Sequence, residues 1–137
     1  MKYILKQFYM DVASRASVLS YCKRKQVGAV ITTSDGKNIL GWGYNGTPTG
    51  QDNNCEDNNG LTKPTVLHAE LNAIAKCAEL GHPTAGATMF VTLSPCINCA
   101  LLILQSGIST VYYRDQYKDT SGLDLLTNSG VEVVQII

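Results

Sequence analysis

The stretch "ATMFVTLSPCINCALLILQSG", residues 87–107, joins a strand-like apolar run to a Cys-x-x-Cys pair. Its first seven residues predict a buried strand, and the part from Cys96 onward predicts a helix that ends at Gly107. Pro95 suits a helix start, where its missing N–H costs nothing. A disulfide, a redox couple, half of a structural zinc site and part of a catalytic metal site all use this cysteine spacing, so the rest of the chain must decide between them.

Strand and helix patterns alternate on both sides of this stretch. The alternation predicts an α/β fold in which parallel strands are joined by right-handed crossovers. We expect a mixed central sheet of five strands, opened by one antiparallel hairpin and covered by helices on both faces. Besides the strand and helix of residues 87–107, the predicted elements are a helix at 4–23, strands at 26–33 and 38–44, a helix at 68–80, a strand at 109–113, a helix at 122–130 and a strand at 131–137.

Length and composition indicate an ordinary globular protein. With 137 residues, 45% apolar and 16% charged, the chain fits one domain spanning residues 1–137. The 11 basic and 11 acidic residues balance, which argues against a nucleic-acid polymer as partner. No apolar run approaches the ~20 residues of a membrane span, and no signal peptide is evident, so we expect a cytoplasmic protein without a membrane partner.

Cysteine and histidine content favours a catalytic metal site. Only two histidines are present, His68 and His82, and a structural zinc site normally closes with four protein ligands. His68, Cys96 and Cys99 would supply three ligands and leave the fourth position to water, as in catalytic zinc sites. Glu70 could then reach that water without binding the metal. The odd number of cysteines, five, argues against a disulfide framework.

The motifs "VGAVI", "GYNGTPTG", "HAELNAI" and "GATMFVTLSPCINC" occur in this order along the chain. "HAE" followed by "PCINC" matches the His-x-Glu and Pro-Cys-x-x-Cys signature of the zinc-dependent nucleobase deaminases. The chain resembles the cytidine/deoxycytidylate deaminase family, and within it the deoxycytidylate (dCMP) deaminases, especially those encoded by bacteriophages. The resemblance implies a cytidine-deaminase-like three-layer α/β/α sandwich and hydrolysis of dCMP to dUMP and ammonia, which would supply dUMP for thymidylate synthesis.

The resemblance also implies roles for individual residues. His68, Cys96 and Cys99 match the zinc ligands, and Glu70 matches the proton shuttle. Asn45 matches an asparagine near the substrate's sugar and phosphate. Further predicted substrate contacts are Ala69 and Ser94 at the base edge, Tyr117 near the 5′-phosphate and, by its place beyond a strand end, Arg114.

The resemblance also implies allosteric regulation and assembly into an oligomer. Family members are often homohexamers that dCTP activates and dTTP inhibits, with Mg²⁺ accompanying the dCTP effector. The candidate effector residues are Lys23, Gly43, Tyr44, Gly46 and Thr47. The basic run at residues 23–25 follows the first predicted helix, and we interpret it as capping the helix's negative end in preference to binding effector phosphates. Some relatives bind a second zinc through cysteines resembling Cys22 and Cys55, but no histidine lies between Cys55 and His68, so we expect free thiols.

Three alternative functions remain open at this point. A tRNA adenosine deaminase would share the metal motifs, although it should carry a basic surface. A free-cytidine deaminase is a second alternative, which the "GYNGTPTG" loop disfavours. A zinc-stabilised binding module is the third, and it would need a fourth protein ligand such as His82 or another cysteine.

Overall fold

Four helices and five strands follow one another in the computed structural model, which describes residues 1–137. The helices are α1 (Tyr3–Ser17), α2 (Ala69–Leu80), α3 (Ile97–Gln105) and α4 (Ser121–Asn128). The strands are β1 (Gly28–Thr32), β2 (Ile39–Tyr44), β3 (Thr88–Leu93), β4 (Thr110–Asp115) and β5 (Glu132–Gln135). A helix long and apolar enough to cross a membrane is not among them.

The strands form one mixed sheet in the order β2-β1-β3-β4-β5. β1 pairs antiparallel with both β2 and β3, whereas β3, β4 and β5 run parallel to one another. The parallel half follows from the helical connections α3 and α4, because a strand that returns through a crossover helix enters the sheet in the same direction. The predicted fold class is confirmed.

Alternating side chains of the sheet build two cores. Val30, Phe90 and Tyr112 face α1, where they pack against Tyr9, Met10 and Ala13. The larger core lies on the other face and is covered by α2, α3 and α4; its strand residues include Ala29, Ile31, Met89, Val91 and Val111. This alternation is the period of two expected for strands whose two faces are both buried.

The first helix is shorter than the sequence predicts. It ends at Ser17, because the next amides bond three residues back and the Ser20 hydroxyl then donates to the backbone oxygen of Asn45 at 2.7 Å. These bonds turn the chain toward the sheet end instead of continuing the helix. The interpretation of residues 23–25 as a helix cap is therefore wrong, since they begin six positions after the last helical residue.

Gly28 is the point where β1 passes closest to α1. A Cβ on this residue would collide with the backbone oxygen of Ala13 and lie 2.7 Å from the backbone nitrogen of Ser17. Backbone atoms in the last turn of a packed helix cannot give way as a flexible side chain does. We predict that Gly28→Ala lowers the free energy of unfolding by roughly 1–3 kcal/mol, measured by chemical denaturation.

The matched control is Gly46→Ala, because a Cβ there meets no atom within 4 Å. Its effect should stay within about 0.5 kcal/mol. Equal losses in the two variants would contradict the close packing of α1 on β1.

Candidate active site

Two helices begin at the same place, and each carries a potential metal ligand at its N-cap. His68 precedes α2 and Cys96 precedes α3, both with extended backbone and without a side-chain capping bond. Their side chains are therefore free to turn toward each other. His68 Nδ1 lies 3.2 Å from Cys99 Sγ and 3.7 Å from Cys96 Sγ.

These separations fit a zinc ion. Zinc bonds of about 2.0 Å to nitrogen and 2.3 Å to sulfur, at tetrahedral angles, place the two atoms about 3.5 Å apart. The ligand atoms of His68, Cys96 and Cys99 all lie within 4.8 Å of one another. No fourth cysteine or histidine belongs to this group, so the set matches a catalytic site that keeps one position open and does not match a closed structural site.

The surroundings of the two cysteines favour the thiolate form of Cys96. The pKa of the Cys96 thiol is lowered to about 3, because Cys99 and then His68 hydrogen-bond to it. The same Cys99–Cys96 bond, together with burial, raises the pKa of Cys99. The pair thus shares one proton, which a metal would displace. The His68 pKa is raised, mainly by its bond to Cys96.

Glu70 lies two residues after His68, in the first turn of α2, and is only 4% exposed. Burial raises the pKa of its carboxyl to about 7. A carboxyl with this pKa can both accept and release a proton at neutral pH, which is what a proton shuttle requires. Its position therefore supports the predicted role.

A cavity of about 340 Å³ opens above this group. Its wall includes seven predicted site residues and several that were not predicted. The predicted ones are Asn45, His68, Ala69, Glu70, Ser94, Cys96 and Tyr117. Their individual roles remain predictions.

Asn45 and Ser94 hold the backbone that forms the cavity wall. Asn45 accepts from the backbone N–H of Val27 and donates to the backbone oxygen of Lys25, both at 2.9 Å. The Ser94 hydroxyl accepts from the backbone N–H of Tyr117 at 2.7 Å. Asn45 and Ser94 therefore fix the positions of the two segments that carry Lys25 and Tyr117.

Arg114 is not brought to this cavity. Its guanidinium donates to Ser14 and Asp115, at 2.7 Å and at 3.0–3.2 Å, and it lines a separate cavity beside α1. The side chain lies toward the α1 face of the sheet, whereas the metal group lies at the ends of helices that cover the other face. We therefore drop Arg114 as a substrate contact.

Arg24 and Lys25 are the two cationic residues of the cavity wall, and the sequence analysis did not name either as a site residue. The Lys25 ammonium lies 5.1 Å from the centre of the Tyr117 ring, and neither cation is in an ion pair, since the two ion pairs of the structure lie elsewhere. The sequence feature that could have revealed these two residues is the basic run at 23–25, which the sequence analysis interprets as a cap of the first helix.

Cys22 and Cys55 form a disulfide, so the prediction of free thiols is wrong. Both residues are buried, and the pair joins the segment after α1 to the long loop before α2. The two cysteines are 33 residues apart in the sequence, so no local pattern predicts their pairing. Tertiary hydrogen bonds bring the two segments together: Asn45 bonds the backbone at residues 25 and 27, and Glu56 accepts from the backbone N–H of Lys23. Cys77 is a buried core thiol, as expected.

The candidate effector residues divide between two places. Gly43, Tyr44, Gly46 and Thr47 line a second cavity of about 360 Å³ between β2 and α2. Lys23 is not part of that wall; its backbone N–H instead bonds Glu56 beside the first cavity. His82, the other histidine, is exposed and contacts the backbone oxygen of Leu40 at 2.7 Å, away from the metal group.

Comparisons with known proteins agree with this geometry. The family model described as the cytidine and deoxycytidylate deaminase zinc-binding region matches residues 4–115. ComE operon protein 2 of Bacillus subtilis is 38% identical over 135 residues, covering 95% of this chain and 70% of that protein. Deoxycytidylate deaminase of Enterobacteria phage T4 is 34% identical over an alignment of 170 residues, covering 93% and 87%.

A solved structure is also similar over the whole chain. The crystal structure of dCMP deaminase from the cyanophage S-TIM5, in complex with dCMP and dUMP, matches with a TM-score of 0.95 and 44% identity, covering 99% of both chains. The fold, the three-ligand group and the buried carboxyl define a zinc-dependent hydrolytic deaminase. This chain belongs to the cytidine and deoxycytidylate deaminase family, as its motifs indicated.

The two histidines provide a test of the metal site. His68→Ala removes one of three ligands, so we predict that the purified variant retains little of the one zinc per chain expected for the unchanged protein. His82→Ala removes a histidine outside the group and should retain the metal. Zinc is measured by elemental analysis after dialysis, with circular dichroism to establish folding. Equal zinc content in the two variants would contradict the assigned ligand set.

Proposed function

We propose that this protein hydrolyses dCMP to dUMP and ammonia. The observation that carries the proposal is the buried carboxyl of Glu70, placed beside the His68, Cys96 and Cys99 group in a cavity whose wall also bears two unpaired cations. One end of the cavity thus has the groups needed to move protons, and its wall has those needed to hold an anion. A nucleoside monophosphate has both corresponding parts.

His68, Cys96 and Cys99 would hold the zinc ion, which when bound supplies Lewis acidity that lowers the pKa of water to about 7. Glu70 takes the proton of the attacking water and delivers protons to N3 of cytosine and then to the departing amine. The C4–O bond forms and the C4–N bond breaks, which gives dUMP and ammonia. Because Glu70 is shut away from bulk solvent, protons pass between the carboxyl and the substrate without loss to water.

Arg24, Lys25 and Tyr117 form the part of the wall suited to the 5′-phosphate. Two exposed cations attract a phosphate dianion, and a guanidinium can bind two of its oxygens at once. The Lys25 ammonium lies over the Tyr117 ring, and this contact keeps the cation at the cavity wall. Asn45 positions the segment through its bonds to residues 25 and 27.

The relatives support the same substrate. The cyanophage structure that covers 99% of this chain contains dCMP and dUMP, the substrate and product of the proposed reaction. The human deoxycytidylate deaminase is 38% identical over 122 residues, covering 83% of this chain. We further propose that the dUMP made here feeds thymidylate synthesis, and that the reaction takes place in the cytoplasm on free nucleotides and not on nucleic-acid polymers. A charged monophosphate does not cross a membrane unaided.

The second cavity, lined by Gly43, Tyr44, Gly46 and Thr47, is our proposed effector site for dCTP and dTTP, with Mg²⁺ accompanying dCTP. Its support is proximity: Tyr44 lies in the strand that leads directly into Asn45, and the backbone oxygen of Tyr44 accepts from Asn72 of α2 at 2.8 Å. An effector there would touch both the Asn45 segment and the helix that carries Glu70. Lys23, which lies outside this cavity, is not part of the effector proposal.

A homo-oligomer, with a hexamer favoured, completes the proposal. Large apolar side chains remain exposed in the single chain, among them Ile4 at 75% and Phe8 at 53% on α1. Burying such side chains between subunits would stabilise an assembly. The measurement for this part is the mass of the protein in solution by light scattering.

Turnover of two nucleotides and one nucleoside tests the proposed reaction. We predict that the zinc-loaded protein converts dCMP, detected as loss of cytosine absorbance, at least tenfold more efficiently than deoxycytidine, because only dCMP engages the cations. dCTP is the third substrate, and dCTP and dTTP are also added as effectors in parallel. The Glu70→Gln variant should stay folded and zinc-loaded, and its turnover should fall by at least ~10²-fold, as loss of a general acid–base group does.

Absence of dCMP turnover by the zinc-loaded protein, with and without effector, would contradict the proposed function. Unchanged activity of Glu70→Gln would contradict the role assigned to the carboxyl and would favour the zinc-stabilised binding module as the alternative.

A further inference from the structure

The disulfide between Cys22 and Cys55 joins two segments that have no regular secondary structure. Cys22 lies between the end of α1 and the start of β1, and it is part of the wall of the cavity that holds the metal group. Cys55 lies in the long stretch between β2 and α2. The proposed reaction does not use this disulfide, so its presence in the cavity wall needs a separate explanation.

The disulfide is next to the two cations that we propose for binding the phosphate. Arg24 and Lys25 follow Cys22 by two and three positions. Besides the disulfide, the bonds that join this part of the chain to the region of Cys55 are those of Glu56 Oε2, which accepts from the backbone N–H groups at residues 23 and 24, at 3.1 and 3.5 Å. Cleavage of the S–S bond would therefore leave the segment less firmly held. A loosely held segment costs more free energy to order when a ligand binds to it.

The surroundings of the two sulfurs suit a pair of thiols as well as a disulfide. Cys22 Sγ lies 3.9 Å from the backbone oxygen of Asn45, and Cys55 Sγ lies 3.8 Å from that of Asn53. A carboxylate oxygen of Glu56 lies within 4.8 Å of both sulfurs, and Glu56 Oε1 is the one buried side-chain oxygen or nitrogen without a hydrogen-bond partner. The sulfurs of a disulfide carry no proton, whereas a thiol donates a weak hydrogen bond. Acceptors for both thiol protons are thus in place beside the disulfide.

The two sulfurs differ in how a reductant can reach them. Cys55 is fully buried, whereas Cys22 is 5% exposed and belongs to the cavity wall. A thiol that enters the cavity therefore meets Cys22 first. In the cytoplasm, where we place the reaction, disulfides are rare, and those that occur are mostly transient and serve catalysis or redox sensing.

We propose that Cys22 and Cys55 form a reversible thiol–disulfide modification site that controls how tightly the cavity binds the 5′-phosphate of its substrate. This inference rests on the proposed function. The disulfide form holds Arg24 and Lys25 in place for the phosphate, and the dithiol form loosens their segment and raises the KM for dCMP. The metal group and Glu70 lie at the beginnings of α2 and α3, away from the loosened segment, so kcat changes little.

The reductant for this step is a dithiol. One of its thiolates attacks Cys22 Sγ, the bond between Cys22 and Cys55 breaks, and Cys55 leaves as a thiolate that takes a proton from water. The second thiol of the reductant then attacks the mixed disulfide, releases Cys22 as a thiol and closes the reductant into a cyclic disulfide. The protein gains two electrons and two protons, and an excess of a small-molecule disulfide reverses the exchange.

The test compares the unchanged, zinc-loaded protein in its two redox states. One sample is treated with oxidised glutathione and the other with dithiothreitol, and both are desalted under nitrogen before assay. Three cysteines lie outside the disulfide. We therefore expect the denatured protein, in the presence of a chelator, to take up three alkyl groups per chain after oxidation and five after reduction, as measured by mass spectrometry.

The kinetic prediction is specific to the phosphate. Reduction should raise the KM for dCMP by about 3- to 30-fold, the cost of ordering two side chains on binding, with little change in kcat. Deoxycytidine has no phosphate, so its kcat/KM should be the same in both states. Reoxidation should restore the original KM for dCMP.

The matched control is the double variant Cys22→Ser, Cys55→Ser, which cannot form the disulfide. It should have the kinetic constants of the reduced protein, and dithiothreitol should not change them further. This control separates reduction of the disulfide from removal of zinc by the reductant, and elemental analysis of zinc accompanies every sample. The comparison of the two redox states of the unchanged protein does not depend on the folding of the variant.

Five results would overturn the inference. The first is five alkylated cysteines after oxidation, which means that no disulfide forms. The second is the same KM for dCMP in both redox states, and the third is an equal loss with dCMP and deoxycytidine. The fourth is a second zinc ion in the reduced protein that is lost in the double variant, since that would make the pair a metal site. The fifth is no dCMP turnover in either state, and only this result also contradicts the proposed function.

Discussion

The active site depends on two helices that begin at one point. α2 and α3 cover the same face of the sheet, and the residue before each, His68 and Cys96, has extended backbone. The two N-termini bring their positive ends and their unpaired amides to the same place, which stabilises thiolate ligands. The other proposed catalytic residues follow on the same two helices: Cys99 is the third residue of α3, and Glu70 lies two residues after His68.

The rest of the cavity is built from segments without regular secondary structure. Their placement comes from a few polar contacts: Asn45 holds residues 25 and 27, Glu56 holds residues 23 and 24, and a disulfide joins Cys22 to Cys55. In the proposed mechanism the rigid helices carry the groups that react, and the loops carry those that recognise the substrate. This division is common in enzymes, because loops change without disturbing the core.

The sequence predicts the parts of the molecule that local patterns determine. Strand and helix periodicities yielded the five-stranded sheet, and ligand counting led to His68, Cys96 and Cys99 before any geometry was known. The errors lie where tertiary contacts decide. The helix pattern of residues 4–23 continues past Ser17, but the contact between Ser20 and Asn45 ends the helix, and this one error concealed Arg24 and Lys25. The Cys22–Cys55 pairing and the place of Arg114 likewise depend on distant segments that no local pattern specifies.

The central claim is that one metal, held by three residues at two helix ends, makes this cavity catalytic toward dCMP. The most direct measurement removes the metal with a chelator and then restores zinc stepwise while dCMP turnover is recorded. The account predicts no turnover without metal, a linear rise with added zinc and a plateau at one zinc per chain. Turnover that survives complete removal of the metal, or a plateau that needs two zinc ions per chain, would contradict it.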